Sequence, residues 1–371
     1  MGLRWPGVRS VLMVALLLVL AGLAFACGQS TPVASTSPSP LVAGASPQPL
    51  AGFDLWAAGT SIYSSRDGGA TWRAMRTRHD LFWGVAASDA RHVWAAGSGG
   101  DILATRDGGA SWSLQRPPSA RQLGAVACSD ARHVVAAGIA PGGVFVLVTR
   151  DGGRHWYSSP LMKSPGDLEG IASPDAQHIW AVGGPSLRAD APGAIIASRD
   201  GGATWTVQRS DPHVDYRGVA FSDARSGWAV GYGDAKAKGS GSVIAHTTDG
   251  GATWTQLQLS GVDGLLSVTC SDAQHAWAVG DAFDGSSAAI ASTRDGGKTW
   301  SVRTLRLAAG DPQRLSLMAV TCSDASHLWV VGATRHAGVV LASSDGGATW
   351  MLQSMRPEMA LLRAVTSAQG H

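Results

Sequence analysis

Seven aspartates, Asp67, Asp107, Asp151, Asp200, Asp249, Asp295 and Asp345, each stand third in an octet that reads Ser-Arg-Asp-Gly-Gly-Ala-Thr-Trp in its first copy. Repeated carboxylates are the raw material of acid–base catalysis or of calcium binding, and each use makes its own demand on spacing. Hydrolysis of a glycosidic bond needs two carboxyl groups at one site, and a calcium loop needs several oxygen donors within one short segment. The aspartates instead follow one another at intervals of 40, 44, 49, 49, 46 and 50 residues, one to an octet. Each is therefore expected to serve its own turn, its carboxylate accepting backbone N–H bonds while Gly-Gly supplies backbone angles that other side chains obstruct.

Histidine and cysteine follow the same logic. His92, His133, His178, His275 and His327 occupy one repeat position, His155 replaces the threonine of the third octet, and Cys128, Cys270 and Cys322 share another slot. Repetition spreads these groups around the molecule, and no His-x-x-x-His or Cys-x-x-Cys spacing gathers them. No metal and no cofactor are expected, and the three cysteines are read as free, apolar fillers.

The elements that must carry these residues follow from the period. Ahead of each octet after the first lies a second element, fullest in Ser271-Asp272-Ala273-Gln274-His275-Ala276-Trp277-Ala278-Val279-Gly280, itself preceded by an apolar run such as Leu265–Cys270. One unit thus reads strand A, Ser-Asp turn, strand B, variable loop, strand C, Asp-Gly-Gly turn, strand D. Seven such units of 40 to 50 residues predict an all-β chain folded as a single seven-bladed β-propeller over residues 51–371. The first unit lacks a strand A, and Leu362–Ser367 matches one with no unit after it, so the tail is expected to pair with the N-terminal blade and close the ring. Tryptophan supports this reading: 13 of the 15 fall at two repeat positions, as packing residues, leaving Trp5 and Trp83.

The N-terminus points to export. Arg4 and Arg9 precede the apolar run Val11–Leu23, so residues 1–26 read as a signal peptide. Ala24-Phe25-Ala26 suits ordinary cleavage, whereas Leu23-Ala24-Phe25-Ala26-Cys27 resembles a bacterial lipobox, which makes Cys27 the lipidation candidate and the chain a membrane-anchored lipoprotein at the cell surface or in the periplasm; the alternative is a secreted protein. Residues 27–50 are rich in Ser, Thr and Pro and read as a disordered linker. Loss of the leader's two arginines leaves 27 basic against 27 acidic residues. A neutral chain has no nucleic-acid footprint.

The octet resembles the Asp-box, or BNR repeat, of sialidases, related glycoside hydrolases and photosystem II assembly factors of the Ycf48 type, over residues 53–371. The resemblance implies that the boxes are structural and lie away from the ligand face. A Ycf48-like chain is expected to be a non-catalytic scaffold that presents its loop face to a protein partner, a membrane-associated one included. A sialidase-like chain requires acids and an arginine cluster at the sugar, and here only Glu169, Glu358 and aspartates such as Asp190, Asp215 and Asp284 are on offer. A glycan-binding propeller is the third possibility, with Trp83, Phe82 and Tyr216 as exposed stacking platforms.

Function is expected on the face carrying the B-to-C and D-to-A loops, where the repeat stops dictating residues. Candidates for ligand binding are Arg188, His213 and Tyr216, together with one strand-A position two residues before its apolar Val or Ile. Around the ring that position holds Trp83, Gly124, Glu169, Arg217, Leu266, Met318 and Arg363, and it points to the channel mouth.

Overall fold

A computed structural model describes residues 39–40, 50, 52–76, 81–117, 122–140, 143–159, 167–185, 191–233, 241–306 and 314–369. The expected signal peptide, Cys27 and most of the expected linker lie outside the described residues.

The strands assemble into seven antiparallel sheets, each with the order A, B, C, D, as blades of a propeller. Strand A is innermost: Phe82–Ala87, Gln122–Cys128, Asp167–Ala172, Asp215–Phe221, Val262–Cys270 and Ser316–Cys322 in blades 2 to 7. In blade 1 the inner strand is the chain's tail. Ala364–Gln369 pairs antiparallel with Phe53–Ala58, from Ala58↔Ala364 to Phe53↔Gln369. This pairing shuts the ring as expected, and it covers an inner sheet edge that would otherwise stand open.

The core is divided among the blade interfaces. Side chains of blade 6 such as Val279 and Ile290 pack on Leu317, Val330 and Leu341 of blade 7, and similar clusters fill the other interfaces. The deepest wedges are the strand-B tryptophans Trp56, Trp94, Trp180, Trp228, Trp277 and Trp329. Those that open strand D lie shallower: Trp72, Trp112, Trp156, Trp205 and Trp254 are half-buried, and only Trp300 and Trp350 are buried. At 150–250 Å² each, a buried indole contributes on the order of 4–6 kcal/mol of gross hydrophobic transfer.

Each Asp-box is a closed hydrogen-bond system. In the fifth, Asp249 Oδ1 accepts from the Thr253 N–H (2.9 Å) and the Thr247 hydroxyl (2.8 Å), and Oδ2 accepts from the Thr253 hydroxyl (2.6 Å). The Thr247 hydroxyl in turn accepts from the Gly251 N–H (2.8 Å). Gly250 and Gly251 have φ of 73° and 84°, which explains the glycine pair. These bonds favour the anion, and the Thr253 hydroxyl foremost holds the Asp249 pKa down at about 2. A feature not anticipated from sequence is the octet arginine. Arg66, Arg106, Arg150, Arg199 and Arg294 each donate from Nη2 to a glycine carbonyl in the next blade's box, from 2.9 Å for Arg106 to 3.5 Å for Arg150.

The Ser-Asp turns are equally local. Asp272 Oδ1 accepts from the N–H groups of Gln274 (2.7 Å) and His275 (2.9 Å), and the His275 ring Nδ1 lies 3.0 Å from Oδ2. The other four repeat histidines hold their own aspartates in the same way. Cys128, Cys270 and Cys322 are free, and burial pushes the Cys128 thiol up to about 12. One element falls in the expected linker: Ser39–Pro40 lies parallel to the end of strand D of blade 6, Ser39 opposite Leu305 and Pro40 opposite Arg306.

Candidate functional site

The centre of the ring is shaped by bulges. Near the start of strand A in blades 2 to 7 the register against strand B skips Trp83, Gly124, Glu169, Arg217, Leu266 and Met318 in turn, and in blade 6 it also skips Asp263. A bulge leaves one residue out of the ladder and re-aims its side chain. Arg363 takes the same place in blade 1, its N–H donating to the Ala58 carbonyl at 2.8 Å just ahead of the closing strand. All seven line one cavity of about 220 Å³ at the axis. The sequence position singled out as facing the channel therefore does so. Behind it every blade carries Gly, Ala or Ser, because inner strands nearly touch there: a Cβ on Gly218 would sit 3.0 Å from Ser267 Cα. Side-chain variety at this level is left to the bulge.

The bulge residues divide by chemistry. Arg217 Nε and Nη2 donate to Asp215 Oδ2 at 3.0 and 2.5 Å, and Nη1 lies 3.5 Å from Glu169 Oε1 in the neighbouring blade. The same guanidinium stands 5.9 Å from the Tyr232 ring centroid. Burial pushes the Asp215 carboxyl pKa up against the opposing pull of Arg217, and its Oδ1 has no hydrogen-bond partner. Burial also works against the Arg217 charge, but Asp215 and Glu169 outweigh it and raise the arginine's pKa. Across the ring the Arg363 guanidinium lies over Trp83, 5.1 Å from the ring centroid. Leu266 and Met318 give blades 6 and 7 an apolar wall, and Gly124 leaves a gap in blade 3.

Other expected site residues fare differently. Tyr216 is not an exposed platform: it is fully buried between blades 4 and 5, where its hydroxyl donates to Asp211 Oδ2 at 2.7 Å and burial raises its pKa. Phe82 is buried as well. Both precede a bulge residue, and alternation along the strand turns them toward the neighbouring sheet. His213 is exposed, in the turn between strand D of blade 4 and strand A of blade 5. Arg188 and Asp190 lie outside the described residues, as do residues 234–240 with their two lysines. Asp284 caps its own turn, accepting from the N–H groups of Ser286 and Ser287. The seven box aspartates stay one to a blade, and none lines the axial cavity. The partners of Arg217 were missed because Asp215 reads as a loop acid until strand A is seen to start on it.

Comparison with known proteins fits this geometry. Residues 262–360, the last two blades up to the closing strand, match the family described as photosynthesis system II assembly factor YCF48. The chain is a seven-bladed propeller whose last two blades resemble that family. No curated protein matches it in sequence. Among solved structures, this Asp-box propeller is similar to Ycf48 bound to a D1 peptide, with 18% identity over 85% of this chain and 88% of that one and a TM-score of 0.55. Ycf48 from Cyanidioschyzon merolae shows 18% identity over 76% and 87%, with a TM-score of 0.54. U3-55K reaches a TM-score of 0.59 at 10% identity, over 79% of this chain and 87% of its own, so the shared feature at this distance is the propeller itself.

Proposed function

We propose that this propeller is an exported, membrane-tethered, non-catalytic scaffold that binds a polypeptide segment of a protein partner across the mouth of its axial channel. The observation that carries the reading is the ring of seven bulge residues. An inner strand that keeps an apolar residue on one side and Gly, Ala or Ser on the other varies here among Trp, Gly, Glu, Arg, Leu and Met, as a recognition surface requires. The Ycf48 structure that contains a D1 peptide supports a polypeptide as the occupant. Tethering rests on the lipobox-like segment ending at Cys27, and the anchor would hold the propeller beside a membrane-associated partner.

A glycosidase is less well supported. Glu169 and Asp215 do face each other, but the Arg217 guanidinium fills the space between them, where the bond to be cleaved would have to lie. Protonation of Asp215 for acid catalysis would also surrender its pairing with Arg217.

The test is site-specific photocrosslinking in native membranes with the full-length protein. A photoreactive residue at position 83 should trap a protein partner, whereas one at position 348, in the seventh Asp-box, should not. Trapping from position 348 alone would place the binding face on the opposite side.

A further inference from the structure

Among the described residues every Asp-box but the sixth is held to the preceding blade by a side-chain hydrogen bond to a glycine carbonyl. Boxes 2, 3, 4, 5 and 7 receive the octet arginines of blades 1, 2, 3, 4 and 6. Box 1 receives Trp329, whose Nε1 donates to the Gly68 carbonyl at 2.9 Å. Box 6 has no such bond from blade 5 among the described residues. The octet of blade 5 carries Thr248 in place of the arginine, and Trp228 Nε1, the counterpart of the Trp329 donor, is buried without an acceptor.

His246 occupies this boundary instead. It stands just before the octet, where the other blades carry Ser, Ala or Val. Its ring is stacked on Trp228, with centroids 4.9 Å apart and planes at 18°. Both rings face box 6: a Cβ on Gly297 would lie 3.4 Å from Trp228 Nε1 and 3.5 Å from His246 Nδ1. His246 Nε2 is buried and has no hydrogen-bond partner, and neither has Trp300 Nε1 on the blade-6 side. Apolar packing among Trp228, Ile244, Ala289 and Trp300 joins the two blades at this level.

Burial holds the His246 pKa below its ordinary value, so the ring is neutral at pH 7. The charged groups around it are engaged elsewhere or exposed. In blade 5, Asp223 and Asp249 each hold their own turn, Arg225 is exposed, and strand B brings Tyr232 at its far end. In blade 6, Asp295 is bound by Thr293 and Thr299, Lys298 is exposed, and Arg294 reaches on to box 7. A proton on Nε2 therefore gains neither an acceptor nor water while the boundary is closed.

We infer that the boundary between blades 5 and 6 is an acid-labile joint, in which protonation of His246 parts the His246–Trp228 stack from box 6 before any other blade boundary loosens. The sign follows from linkage. The ring binds its proton more weakly in the closed joint than in water, so closure is favoured above the ordinary histidine value of about 6.5 and weakens as pH falls below it. That window lies above the one in which the Asp-boxes titrate. The joint also borders the channel mouth, for at its inner end a Cβ on Gly264 would meet the Tyr232 ring, whose centroid lies 5.9 Å from the Arg217 guanidinium.

One joint moves the Tm of a chain this size little, so the test is local: amide hydrogen exchange of the full-length protein at pH 7 and pH 5, corrected for the intrinsic rate. In wild type, protection of Ser242–Thr247 should fall by about threefold to tenfold at pH 5. The matching strands Gly193–Ser198 and Gly338–Ser343 should hold theirs. His246→Phe keeps an aromatic ring but cannot titrate, and should abolish the difference between the two pH values. Thr248→Arg restores the brace and should raise protection of Ser242–Thr247 at both. A pH difference that persists in His246→Phe, or a loss shared equally by all blades, would overturn the inference. Wild-type protection in Thr248→Arg would equally count against it.

Discussion

Arg363 lies over the indole of Trp83 at 5.1 Å, and so the residue that leads into the closing strand touches the first bulge of the ring. Closure and the channel mouth share this contact: the tail that completes blade 1 also delivers a cation to the site. Trp83→Ala removes one cation–π contact at a half-buried position, worth about 0.5–1 kcal/mol. Its urea midpoint should fall slightly, and capture of the membrane partner should fall by at least about tenfold.

Arg217→Ala should behave differently. It leaves the buried Asp215 without its counter-ion, so a loss of about 2 kcal/mol is expected, less than for a fully buried pair because Arg217 is partly exposed. Adding Asp215→Asn should recover most of that loss. Urea unfolding of the single and double variants checks this, and an Arg217→Ala protein as stable as wild type would mean that water already compensates Asp215. The sequence reading placed Arg217 at the channel mouth; the structure adds its partners Asp215 and Glu169.

Acid stability follows from the Asp-boxes. Hydroxyl and backbone donors hold Asp107, Asp200 and Asp249 down at about 2 in the folded chain, against about 3.9 unfolded. A carboxyl group with a depressed folded pKa contributes stability above its unfolded value and loses it as pH falls toward the folded one. Thermal unfolding should therefore show a steady Tm from about pH 7 to 5 and a cooperative drop between about pH 4 and 2. Replacing Asp249 by Asn should reduce the steepness of that drop.

Deletion of residues 364–369 should leave Phe53–Ala58 with an open inner edge. Size-exclusion chromatography should then show aggregates or a strand-swapped species larger than the intact protein.

Much of this was legible in the sequence because the repeat writes each blade seven times. The octets mark the C-to-D turns, Trp277 and its equivalents mark strand B, and the unmatched Leu362–Ser367 segment announces closure. The channel position was legible too, since it varies between an apolar and a small residue that each inner strand keeps. What could not be read was who meets whom across a blade boundary. Tyr216 next to Arg217 looks like a second loop-face group, yet the strand pleat sends one inward to Asp211 and the bulge sends the other to the axis. Likewise Asp215 became a buried counter-ion only through the approach of blades 4 and 5, and the octet arginines found their glycine carbonyls some 42 to 52 residues away.

The central claim is a division of labour between carboxylates that build blades and bulge side chains that bind. Its most direct measurement is partner capture per folded molecule, with Tm recorded in parallel, for Asp249→Ala and Trp83→Ala. The account predicts a lower Tm with intact capture for Asp249→Ala, and a nearly unchanged Tm with lost capture for Trp83→Ala. Lost capture at an unchanged Tm in Asp249→Ala would contradict it.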